Sequence, residues 1–320
     1  MELFFDMLGR LCLFAALGVP GFLLAKWGKI GQEGRGTLVN LLLYVAMPCL
    51  VFAGLLETDV RALHAAEWIT CALFPALIVA VIGGLGALIF RGEGDRPRLC
   101  RFCAAFANCG FLGLPLAQSL FPDRPAVALF ISIFNILSTV LLFIIGGAML
   151  SGDGGKQKRN WFRLLVSPLT VATLLGVICS LLHVGQKLPF LITFAEIPAA
   201  MTTPLSMTVL GALLATLPKK PWWRESGLWL TALLKLAVAP LCTMGILAFL
   251  RSVCKLPIGA DASLALLLST AVSTAASAPS MAEDHGRDPH YAAALTLGNT
   301  LLCLLTLPFA YLLFNFIFGT

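Results

Sequence analysis

Charge is what this sequence has little of. Only 12% of its 320 residues are Asp, Glu, Lys or Arg, against 59% hydrophobic, where a soluble domain carries roughly a quarter charged. That shortage excludes a water-soluble globular protein, and a mean hydropathy of +0.92 points to an integral membrane protein. Acidic residues are missing from the middles of the apolar runs, since Glu57, Glu196, Glu225, Asp261 and Glu283 all fall near run ends. An intramembrane prenyltransferase, which needs acidic clusters to hold magnesium and a diphosphate, is therefore not expected. Nor is there an obvious buried carboxylate for a proton or a sodium ion. Histidine is sparse, and His64, His183, His285 and His290 sit in loops or at run ends, which speaks against an intramembrane serine protease. Glu283-Asp284-His285, the compact acid and histidine group, reads as a solvated helix end. The ten cysteines stand singly apart from Cys100-x-x-Cys103, which has no histidine or second pair beside it, so no zinc site, other metal or cofactor is expected. A basic leader is absent too. The chain starts Met-Glu-Leu-Phe-Phe-Asp, and its first apolar run is expected to stay as a span rather than be cleaved.

What is present is a series of apolar runs, each near the ~20 residues a helix needs to cross a bilayer. They lie at about 8–27, 36–56, 66–90, 99–121, 125–150, 163–183, 196–217, 226–250, 261–283 and 290–318, which predicts an all-α membrane protein of ten transmembrane helices. The formal charge of +6 is explained by its distribution and calls for no nucleic-acid partner. With the termini outside, fifteen of the 22 basic residues, from Lys26, Lys29 and Arg35 through Arg91, Arg96, Arg98, Arg101, Lys156, Lys158, Arg159, Arg163, Lys219, Lys220 and Arg224 to Arg287, fall on the cytoplasmic side. Six face the other way. By the positive-inside rule, this is a multi-pass protein of the cell (inner) membrane with both ends outside.

One run cannot form an unbroken helix. Asn108-Cys-Gly-Phe-Leu-Gly-Leu-Pro115 puts a proline, which lacks an N–H and crowds the carbonyl four residues back, after Gly110 and Gly113, which tolerate an unwound turn. Free backbone groups at membrane depth survive only inside protein or along a wet cavity. The stretch is thus either a kink repaired by its neighbours or a binding site. Polar residues recur elsewhere in apolar surroundings: Asn40 and Tyr44, four apart and so on one helical face, Gln118, and Asn135 with Ser138 and Thr139.

The two halves of the chain repeat. Pro75 and Pro240 are 165 residues apart, Pro115 and Pro279 are 164, and Asn135 and Asn299 are 164; Pro48 with Pro204 and Pro20 with Pro168 follow at shorter offsets. The basic stretch 151–162 separates a first five-helix repeat, 1–150, from a second, 163–320. Five spans is an odd number, so the second repeat enters from the opposite side. That is an inverted repeat of the kind secondary transporters use, and a pair of interrupted helices in corresponding places points to the transport site. In the second half the interruption is Ser273-Thr-Ala-Ala-Ser277-Ala-Pro279-Ser280. Two half-helix N-termini meeting at mid-membrane would favour an anion. Lys235 lies about ten residues into its span, roughly 15 Å deep, where a lysine costs about 2.5–3.5 kcal/mol. It reads either as a counter-charge to a carboxylate or as a cap on the carbonyl end of a broken helix.

These residues resemble the auxin efflux carrier family and its prokaryotic malate and malonate permease-like branch. The likeness rests on Tyr44-Val-Ala-Met-Pro48 with Phe52, Asn108-x-Gly-Phe-x-Gly-x-Pro115, Phe134-Asn135, Lys235 with Pro240, Ser277-Ala-Pro279-Ser280, and the stretch from Gly298-Asn299-Thr300 to Leu307-Pro308. The resemblance implies two inverted five-helix repeats with crossing broken spans four and nine. It further implies a transport domain, a scaffold domain that often dimerises, and small organic anions moved by an elevator-like alternating access. The expected binding residues are Asn108, Gly110, Gly113, Pro115, Ser277, Pro279, Ser280, Asn135, Asn299, Lys235, Tyr44 and Asn40. A proton stays open as coupling partner, and the carboxylate-bearing motif of the related bile-acid sodium symporters is not found. A sodium-coupled carrier of that kind, or a non-transporting membrane receptor, is the alternative.

Overall fold

The computed structural model describes residues 9, 12, 13, 16–151, 168–216 and 222–319. The linker 152–162, the start of the sixth expected span at 163–167, Arg10, Lys219 and Lys220 lie outside the described residues. Within them the chain is helical, with no strand. Six helices are long and apolar enough to cross a membrane: α2 (Gln32–Glu57), α3 (Ala65–Ile89), α6 (Pro125–Leu150), α8 (Pro189–Leu214), α9 (Ser226–Ser252) and α12 (Pro289–Phe318). The others are shorter: α1 (Gly18–Lys26), α4 (Asp95–Ala105), α5 (Cys109–Leu120), α7 (Pro168–Leu181), α10 (Ala260–Ala271) and α11 (Ala278–Asp284). Spans four and nine of the sequence reading are thus each two helices, α4 with α5 and α10 with α11. The seventh begins at Pro189 rather than 196, because a proline at the first helical position needs no N–H partner and apolar residues follow it directly.

Proline also sets where the helices widen. The wide turns at Leu42–Ala46, Cys109–Gly113 and Leu233–Val238 each end two residues before a proline, Pro48, Pro115 and Pro240, where the missing N–H and the ring prevent the ordinary bonding pattern. A fourth wide turn, Leu142–Gly146, precedes Gly147 instead.

The closest helix packing falls into two groups, or bodies, which also touch each other through α2 and α7 on α6 and α8 on α5. α1 lies along the second half of α8, and the second half of α2 packs on α7 and the first half of α8. In the other body α6 packs on α3 and α10, α4 on α3, and α11 on α12. The first body is closed by small residues: a Cβ at Gly211 would land on the Gly18 carbonyl, and one at Gly21 on the Thr208 backbone, so α1 and α8 touch backbone to backbone. The second body is stitched by Glu67, 5% exposed, whose two carboxylate oxygens accept from the N–H of His64 (2.9 Å) and Gly259 (2.8 Å). One buried charge thereby serves the N-terminal ends of both α3 and α10, where a negative charge is favoured.

Gly211→Val is expected to destabilise the protein by about 1–3 kcal/mol through overpacking. Gly245→Ala, at a position with nothing within 4 Å, is expected to leave it unchanged. Thermal unfolding in detergent compares the two.

Candidate functional site

The breaks between α4 and α5 and between α10 and α11 meet. Ala107 and Thr274 form an antiparallel bridge, in which the N–H of Asn108 donates to the Ser273 carbonyl at 2.8 Å and that of Ala275 donates to the Phe106 carbonyl at 3.1 Å. Each broken segment supplies the partners that the other lost on unwinding. The N–H groups of Cys109, Gly110, Phe111, Ala276 and Ser277 have no backbone acceptor among the described residues.

Side chains from α6 and α12 hold the crossing. Thr274 donates to the Cys103 carbonyl (2.8 Å) and accepts from Asn299 Nδ2 (2.9 Å), while Thr300 bonds to the Ser273 hydroxyl (3.0 Å). On the other side Cys109 Sγ donates to Asn135 Oδ1 at 3.1 Å. α8 closes a third side. Pro115 offers no N–H to the Phe111 carbonyl, and the Ser206 hydroxyl donates to it instead; Thr203 donates to the Pro115 carbonyl at 3.2 Å.

A cavity of about 320 Å³ opens on this crossing, between α2, α5, α6, α7 and the α10–α11 break. Five of the twelve expected binding residues line it: Tyr44, Asn108, Gly110, Asn135 and Ser277. Asn108 is 5% exposed, and its side chain has no hydrogen-bond partner among the described residues. Tyr44 sits in the wide turn of α2, and Leu142 and Phe143 in that of α6. Among the described residues no Asp, Glu, His, Lys or Arg lines the space; Ser138 and Thr139 add hydroxyls beside Asn135, and the other lining residues, Met47, Leu43 and Leu169 among them, are apolar. A second cavity of about 290 Å³ lies at the other end of α5 and carries Glu57, Gln118 and Glu196.

The remaining expected residues lie off the first cavity. Gly113 and Pro115 are buried in α5, and Pro279 is half-buried in the first turn of α11. Ser280 is exposed, its hydroxyl donating to the Ser277 carbonyl, and Asn40 is exposed on α2. Asn299 is wholly buried against Thr274. Lys235, 3% exposed in the wide turn of α9, has no ion pair among the described residues. It lies within electrostatic range of the Cys109 and Cys303 thiols. The Ala271 carbonyl, the last of α10, receives the Cys303 thiol. The sequence reading did not single out Thr274 or Thr300 as supports, or the apolar residues of the cavity wall. The hydroxyl clustering of 273–277 was the available signal for Thr274; the wall residues carry none, being ordinary apolar positions of a membrane helix.

An all-helical membrane chain whose two halves repeat, with interrupted helices crossing beside an uncharged cavity, has the architecture of a transporter. The profile of the family described as Membrane transport protein matches it twice, over residues 11–161 and 157–311, and the chain belongs to that family, the auxin efflux carrier family of the sequence resemblance. It is a transporter and not an enzyme. It is similar to a Rhizobium meliloti protein named "Putative malonate transporter", 24% identical over 223 residues that cover 67% of this chain and 69% of that one. An uncharacterized transporter of Methanothermobacter thermautotrophicus is 30% identical over 50% of this chain and 53% of its own. Another, from Methanocaldococcus jannaschii, is 25% identical over 62% and 66%.

Thr274→Val keeps the side-chain shape but strips the Cys103 carbonyl and the Asn299 amide of a partner in a buried site. A loss of about 1–3 kcal/mol for each unsatisfied group is expected, read as a lower unfolding temperature in detergent. Thr37→Val, where the hydroxyl bonds only its own exposed helix, is expected to show no such loss.

Proposed function

We propose that this chain is a carrier for small organic anions, carboxylates of the malate and malonate size class among them, which bind at the crossing and move by alternating access. The observation that carries the reading is the buried carboxamide of Asn108, without a hydrogen-bond partner among the described residues, in a cavity also lined by Gly110, Phe111, Ala276 and Ser277, whose N–H groups have no backbone acceptor there. Such donors accept a carboxylate without any cationic side chain. Lys235, buried and without an ion pair, adds positive potential from behind. Among the described residues the wall offers a second carboxylate no cation, so within the class of mono- and dicarboxylates a singly charged acid with an apolar body is the better fit.

The finer topology belongs to the same reading. Ten spans form two inverted repeats, 1–150 and 163–320, with both ends outside. Two ion pairs support it, since each joins residues assigned to the same face: Arg287 with Asp95, and Arg124 with Asp261, both at 2.6 Å. The body of α1, α2, α7 and α8 is the scaffold, and the body of α3–α6 and α9–α12 moves against it. The two cavities at opposite ends of α5 are then the two access routes, of which the first holds the substrate in this state. Glu57 and Glu196 in the second supply groups that a coupling proton could occupy.

Uptake of labelled phenylacetate and malonate into proteoliposomes tests the carrier, with phenylacetate expected to be the better substrate. Asn108→Ala is expected to lower uptake by at least about tenfold, the worth of a hydrogen bond to a charged group; wild-type rates in that variant would overturn the site. A phosphatase fused to the C-terminus should be active outside the cell, and activity only after lysis would overturn the orientation.

A further inference from the structure

The equivalent asparagines of the two halves, Asn135 and Asn299, both reach back to their own break, but with opposite ends of the amide. Asn299 gives its N–H₂ to Thr274 Oγ1. That polarity is forced, because the single hydroxyl proton of Thr274 is already committed to the Cys103 carbonyl. The Asn299 Oδ1 is left buried and without a partner, and the residue lies off the cavity. Asn135 instead receives a hydrogen at Oδ1, from the Cys109 thiol at 3.1 Å; the Ala107 carbonyl is farther from that thiol, at 4.0 Å, and the Ser138 hydroxyl is a hydrogen-bond neighbour of the sulfur. The N–H₂ of Asn135 is then unused by the protein, among the described residues, and the side chain lines the cavity together with Asn108. There is no slack in this contact: a Cβ on Gly110 would come within 3.4 Å of both Asn135 Oδ1 and Nδ2.

We propose that Cys109 is a positioning residue for substrate binding: its thiol holds the Asn135 carboxamide with the oxygen turned away, so that Asn135 and Asn108 present N–H donors together to one carboxylate. The other half, built with a hydroxyl in place of the thiol, turns its asparagine the opposite way and makes a structural clamp. A thiol is a weak acceptor, so it pins the oxygen end of an amide and not the nitrogen end. The inference rests on the carboxylate-carrier reading and sharpens it, since it assigns the substrate contact to the first half of a repeated structure.

The test is concentration-dependent uptake of phenylacetate and malonate by Cys109→Ala, Cys109→Ser, Asn135→Ala and the double variant Cys109→Ala with Asn135→Ala. Cys109→Ala is expected to raise KM about threefold to tenfold, the worth of one net hydrogen bond, with Vmax and unfolding temperature near wild type. Cys109→Ser, which keeps a donor, should restore KM. In the Asn135→Ala background the cysteine change should add nothing, as coupled residues require. A Cys109→Ala protein with wild-type KM, a serine variant as impaired as the alanine one, or additive effects in the double variant would each overturn the positioning role while leaving the carrier intact, provided Asn108→Ala still impairs uptake. Absence of uptake of both acids by the wild-type protein, or full activity in Asn108→Ala, would overturn the carrier site and the positioning role with it.

Discussion

Two backbone hydrogen bonds, from Asn108 to Ser273 and from Ala275 to Phe106, are the constraint from which the rest of this structure follows. In hydrocarbon, an unpaired peptide group costs several kcal/mol, so a helix opens at depth only where something else can take its donors and acceptors. Here each opened segment is the other's partner. Their joint position inside the protein, rather than against lipid, is a consequence of that dependence. Thr274 in the break itself, with Asn299 and Thr300 on α12, then adds side-chain hydrogen bonds around the bridge.

The site is a product of what the bridge does not satisfy. Asn108, Gly110, Phe111, Ala276 and Ser277 line a cavity without a charged side chain among the described residues; in the proposed carrier that is a form of recognition suited to an anion that has to leave again. A cavity lined by arginine would hold a carboxylate more tightly and release it more slowly. In the proposed carrier Lys235 stands off the cavity wall and makes no direct contact with the anion.

Much of this was legible in the residues. Pro115 and Pro279, Asn135 and Asn299, each spaced by 164, located both breaks and the asparagines that attend them, because proline and buried polar side chains are costly in a membrane and stand where they do for a reason. Glycine at 110 and 113 marked the unwound turn for the same reason. What could not be read was which member of a symmetric pair faces the cavity. Asn135 and Asn299 are identical letters at equivalent places, and only the neighbour, a thiol at 109 against a hydroxyl at 274, separates their roles. The contacts of α8 with α5 were hidden as well, since Thr203 and Ser206 look like any small residues of an apolar helix until the carbonyl freed by Pro115 is seen beside them. Asn40 was singled out by its spacing from Tyr44, yet it is exposed on α2, away from the cavity, as helical periodicity alone cannot tell one polar surface from another.

The Glu67 stitch carries a consequence for how the molecule comes into being. A carboxylate near the start of α3 waits for the N–H of Gly259, nearly two hundred residues downstream, and the opened segment after α4 waits for Ser273 in the same way. Until residues 259 and 273 have been made, the first half of the chain holds these costly polar groups without their native partners.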